Sequence, residues 1–188
     1  MEAKYLRLSK LYMAQMLIGI LLSIVLQLIP FDSRIPSILH IAFILVIGAV
    51  ISVNIHSMQK INANFKIISV MCFFGSIFHA IRQLTSDLIP VIVVSTTAII
   101  FTAIYVAGFA SVTERLLLGG DPDKINKWEK FRKVFIILSV VMALSTILLY
   151  VFDLYAMIVL VITKIIELVL AIRFISLLRK VTAGNANK

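Results

Sequence analysis

Residues 159–172 read VLVITKIIELVLAI, an aliphatic run long enough to be membrane core yet broken by Lys164 and Glu167. Such a stretch forces one decision before any other: whether apolar runs of this kind build a large soluble core or face lipid. Composition decides it. The 188 residues are 61% hydrophobic and only 14% charged, with a mean hydropathy of +1.08. Soluble domains run near half apolar and about a quarter charged, so this is a membrane composition.

A hydrocarbon layer of about 30 Å is crossed by roughly 20 helical residues. Six runs of that size recur, at 11–29, 36–56, 66–84, 88–112, 134–152 and 154–173. A transmembrane β-barrel needs alternating segments of roughly ten residues. These runs are continuous and about twice as long. The expected fold is therefore an all-α membrane protein, a single polytopic domain over 1–188 built as a six-transmembrane-helix bundle of three antiparallel hairpins. The first run exceeds the h-region of a signal peptide and reads as a retained span. The tail 181–188 reads as disordered.

Charge orients the bundle. Fifteen of the 18 Lys and Arg residues fall on one side, Arg34 and Arg82 on the other, and Lys164 between. The positive-inside rule then places both termini in the cytoplasm and the chain in the plasma membrane, an N-in/C-in topology. A net charge of +9 calls for no nucleic-acid partner, because topology already accounts for the basic residues, which face anionic headgroups of the lipid bilayer. The short outer loops centre on Asp32, Asp87 and Asp153, and the three hairpins they cap are of similar size, as bilayer thickness requires.

One connection, LGGDPDKINKWEKFRKVF at 118–135, is longer. Asp121 and Pro122 suit the N-cap and first position of a helix. Ile125, Trp128, Phe131 and Phe135 recur every three or four residues, with Lys124, Lys127, Lys130 and Lys133 on neighbouring faces. This pattern predicts a short amphipathic helix at 121–133, lying on the headgroups before the fifth span, with Trp128, Lys124, Lys127 and Lys130 as membrane-interface residues.

The candidate site residues are the ionisable groups at depth. At 1.5 Å per residue Lys164 lies about 16 Å below Asp153, near the midplane, and Glu167 one turn further. At i and i+3 they share a helix face, so a mutually neutralising pair is expected. His40 and His79 each lie eight residues from an outer aspartate, about 12 Å down, with Arg82 one turn beyond His79. These five are the solute-binding candidates. Two histidines without a third donor make no metal site, and neither a metal nor any other cofactor is expected. Cys72 is the only cysteine, which excludes an intramolecular disulfide or a thiolate cluster. Small residues four apart, such as Gly48/Ser52 and Cys72/Ser76/Ala80, predict close helix packing.

No GxSxG, HExxH, Walker A or GxGxxG sequence occurs, so no catalytic residue is assigned and no enzyme is expected. Two functional readings follow. The first is a small-solute binding or transport module with no ATPase of its own. In size and topology only, the chain resembles the substrate-binding subunits of vitamin uptake systems that borrow their ATPase, and no motif residue carries over. The second is a non-catalytic membrane subunit, or an assembly or immunity partner, pairing with another membrane subunit or a second copy of itself through Lys164 and Glu167.

Overall fold

Lipid offers the backbone no hydrogen bonds, so an apolar chain must satisfy its own, and a helix does so within one segment. The computed structural model describes residues 2–28, 34–85, 87–118, 122–148 and 153–182. The side chain of Lys164 and the tail from 183 onward lie outside the described residues. The helices are α1 (Glu2–Leu28), α2 (Arg34–His56), α3 (Asn64–Leu84), α4 (Leu88–Leu116), α5 (Pro122–Leu148) and α6 (Asp153–Thr182), with a 3-10 turn at Ser57–Lys60 after α2. No strand occurs among the described residues. Pro36, Pro90 and Pro122 each fall in the first turn of a helix, where a missing N–H breaks no bond. Four segments, Ile38–Lys60, Asn64–Leu84, Ile89–Leu116 and Pro122–Leu148, are long and apolar enough to cross a membrane.

Each helix packs on its successor, and α6 returns to α1, so the six close into a ring. Contact is slightest between α1 and α2. The ring is tightest at the end carrying both termini. There Tyr5, Leu8, Phe65, Phe109, Trp128 and Phe131 are at most 1% exposed. Phe174 of α6 sits among three of these rings, with centroids 5.3 Å from Phe131, 5.7 Å from Phe109 and 5.8 Å from Trp128. Polar clasps reinforce this end. The Tyr5 and Thr113 hydroxyls are hydrogen-bonded at 3.0 Å. Arg132 donates to both carboxylate oxygens of Glu114 at 2.8 and 3.0 Å, tying α5 to α4. The Lys4 ammonium donates to the Ser57 carbonyl.

Residues 121–133, read from the sequence as a separate headgroup helix, are instead the opening turns of α5, which runs unbroken from Pro122 to Leu148. Asp121, read as its N-cap, lies outside the described residues. The apolar stripe faces protein. An i, i+3, i+4 stripe has the same sequence pattern whether lipid or another helix covers it. Here Phe109 and Phe174 cover it. The lysines lie on the other faces, where Lys127 pairs with Asp123 and Lys133 with Glu129 at successive turns.

At the α2–α3 seam small residues replace aromatic ones. Ser52 donates to the Ser69 carbonyl across α2 and α3 at 2.7 Å, and a Cβ on Gly48 would collide with both heavy atoms of the Ser76 side chain. Within an isolated helix, alanine in place of glycine is favourable by up to about 1 kcal/mol. At position 48 the collision outweighs this, because the Ser76 Cβ cannot swing aside. Gly48→Ala is expected to lower the unfolding free energy in detergent by about 1–3 kcal/mol, with most of the loss recovered when Ser76→Gly is added. A neutral or stabilising Gly48→Ala would show that α2 and α3 do not approach this closely.

Candidate functional site: two cavities sharing a wall

The dense packing stops partway along the bundle. Beyond Phe174 and Phe131, residues of α1, α2, α4, α5 and α6 line an open cavity of about 680 Å³. Its aromatic wall includes Phe43, Phe131, Phe135 and Phe174. Its polar lining comprises Tyr12 and Gln15 of α1, His40 of α2, Thr102 and Tyr105 of α4, and Glu167 of α6. The heptad geometry of α1 accounts for its share, since residues 12, 15, 16 and 19 fall on one face, and Gly19 leaves room beside Phe43. The Tyr12 ring is fixed edge-on against Phe174 at 5.2 Å. Its buried hydroxyl has no hydrogen-bond partner of ordinary geometry among the described residues, although Tyr105 lies beside it.

A second cavity of about 120 Å³ lies between α3, α4, α5 and α6. His79 and Arg82 of α3 line it with Ser95, Ser139 and Thr146, and Arg82 is otherwise exposed at the end of its helix. Thr102, Phe135 and Glu167 line both cavities and so form the wall between them. His79 Nε2 and the Thr102 hydroxyl are hydrogen-bonded at 3.3 Å. A polar line thus runs from Arg82 through His79 and Thr102 to the wall that Glu167 completes. Ser139 and Thr146 return their hydroxyls to carbonyls of their own helix, as buried helical hydroxyls commonly do. The Ser95 hydroxyl, only 7% exposed, does not, and has no hydrogen-bond partner among the described residues.

Of the five solute-binding candidates, His40 thus lines the large cavity, His79 and Arg82 the small one, and Glu167 both. Lys164 shares α6 with Glu167, and its side chain lies outside the described residues, so the pairing read from sequence is not described. Tyr12, Gln15 and the four phenylalanines escape a sequence search for ionisable groups. Spacing alone was a usable signal for Tyr12, Gln15 and Gly19, which share a helix face. No arrangement of three or more metal-ligating His, Cys, Asp or Glu side chains occurs among the described residues.

The four membrane-interface residues divide. Lys124, Lys127 and Lys130 are partly or fully accessible on the outside of α5. Trp128 is not at an interface at all. Its indole is 1% exposed and packs on Phe109, Phe131 and Phe174. Burial predicts a large cost for its loss. Trp128→Ala should destabilise the detergent-solubilised protein by about 3–5 kcal/mol, while Lys127→Ala should stay within about 0.5 kcal/mol of the parent. Equal, small effects in denaturant titrations would return Trp128 to the lipid surface.

Comparison with protein-family models, with curated proteins and with solved structures gave no match, so the chemistry of the two cavities carries the functional reading.

Proposed function

We propose that this chain is a six-span plasma-membrane protein, with both termini cytoplasmic, that binds a small solute in the large cavity and passes it across the bilayer. Four apolar helices already meet the length of a span. α1 and α6, at 27 and 30 residues, contain the remaining two apolar runs. On this reading the aromatic cluster closes the cytoplasmic end, and the cavity lies at membrane depth.

The observation that carries the proposal is the cavity itself. Ligand sites are typically concave, about 300–1,000 Å³, mostly apolar and with a few convergent polar groups. A cavity of about 680 Å³ lined by Tyr12, Gln15, His40, Tyr105 and Glu167 among aromatic rings has that character. Polar and ionisable groups at membrane depth are costly, and side chains facing an interior cavity rather than lipid are the usual sign of a solute path. The chain carries no phosphate-binding loop, so energy for uphill movement would come from a partner or an ion gradient.

Thermal unfolding against a panel of small solutes tests this. A ligand at 100 times its dissociation constant stabilises by about 2.7 kcal/mol, a shift of several degrees. Ala171→Phe, which places a ring in the cavity, should abolish the shift. A panel that shifts parent and Ala171→Phe equally would end the proposal. In a Cys72→Ser background, cysteines placed at Ser33 and at Asn187 should label from opposite sides of the membrane.

A further inference from the structure

The proposed solute cavity has a composition that selects among solutes. Among the described residues lining it, Glu167 is the only Asp, Glu, Lys or Arg side chain. The arginine of this region, Arg82, opens on the smaller cavity instead, behind the wall of Thr102, Phe135 and Glu167. Around the single carboxylate stand rings contributed by four helices besides that of Phe174. Tyr12 comes from α1, Phe43 from α2, Tyr105 from α4, and Phe131 and Phe135 from α5.

Two physical effects then act in one direction. Among apolar and aromatic side chains a carboxylate attracts a cation more strongly than it does in bulk solution. Aromatic faces carry negative potential and attract ammonium groups by about 0.5–2 kcal/mol; Phe131 is stacked on Phe135 and Phe174, so Tyr12, Phe43 and Tyr105 are the lining rings outside that stack. A bare inorganic cation would leave most of a cavity of about 680 Å³ unfilled and its rings unused.

We infer that the large cavity takes an organic monocation, a protonated or quaternary ammonium on an apolar or aromatic body, with the ammonium against Glu167 and the body among the rings. This rests on the small-solute reading above and specifies the class of solute. It does not need a bare carboxylate. Glu167 already has an interaction within the protein, and an arriving ammonium joins or displaces that partner. The buried Tyr12 hydroxyl, which has no hydrogen-bond partner of ordinary geometry among the described residues, adds an acceptor for a protonated ammonium on the same wall.

The fold supplies its own reporter. Trp128 is the only tryptophan, and it packs on Phe131 and Phe174, both of which line the cavity. Three probes of nearly one shape separate charge from size: benzyltrimethylammonium, its neutral carbon isostere neopentylbenzene, and benzylsulfonate. Each is titrated into the purified full-length chain while Trp128 fluorescence is followed, and only a response abolished by Ala171→Phe counts as cavity binding. The cation is expected to bind at least about tenfold more tightly than the isostere, and Glu167→Gln to weaken the cation about tenfold while sparing the isostere. Retained isostere binding also shows that the variant is folded. If the isostere or the sulfonate binds as tightly as the cation, or Glu167→Gln leaves the cation unaffected, the cationic assignment is overturned and the cavity remains a solute site. If none of the three binds, the small-solute reading falls and takes the assignment with it. Should Glu167→Gln not fold, the comparison of cation with isostere in the parent protein decides alone.

Discussion

Closure of the helical ring depends on the packing of Phe174 among Phe109, Trp128 and Phe131. These four rings come from α4, α5 and α6, and Tyr5 extends the cluster to α1 by an edge contact with Phe109 at 5.7 Å. Without this cluster the contact between α1 and α6 would lose its main apolar filling, and the first and last helices of the chain would have little reason to meet. Rigid aromatic rings suit the task, since each buries a large area and loses few rotamers. The same cluster is the floor of the large cavity. Phe131 and Phe174 both pack on Trp128 and both line the large cavity.

Two kinds of packing therefore coexist along the helix axes. At the end with the termini, large apolar rings and the Glu114–Arg132 clasp fill the interior. At the α2–α3 seam, glycine and serine let two backbones come close, as Gly48 against Ser76 shows. Lipid tails are as apolar as leucine, so helices surrounded by them gain little from burying aliphatic side chains and more from close contact between small ones. The many exposed aliphatic side chains on the outer faces, such as Ile162, Ile165 and Val169 of α6, fit that environment.

Four of the five residues that a sequence search singles out for their cost in lipid line cavities of the bundle. His40, His79, Arg82 and Glu167 lie on three different helices, yet they line two cavities that share a wall. The physical reason is general: a polar side chain at depth must turn inward, and inward positions of neighbouring helices converge. The lining of phenylalanines was not legible, because Phe43, Phe135 and Phe174 have the same composition as any lipid-facing position. Trp128 shows the opposite error. Its neighbours Lys124, Lys127 and Lys130 gave it the appearance of a headgroup anchor, and nothing in a single stripe records which surface will cover it.

Some properties of this protein are determined by the sequence itself. Long aliphatic runs that keep proline out of their interiors become helices, because the backbone has no other way to satisfy its hydrogen bonds away from water. How far Glu167 lies along α6 follows from counting residues. What only the tertiary structure decides is which faces meet: that α6 returns to α1, that α5 turns its stripe inward from its opening turns, and that the packing leaves about 680 Å³ unfilled beside Glu167. Helical periodicity marks a face, but the surface that covers it depends on ring contacts between residues far apart in the chain.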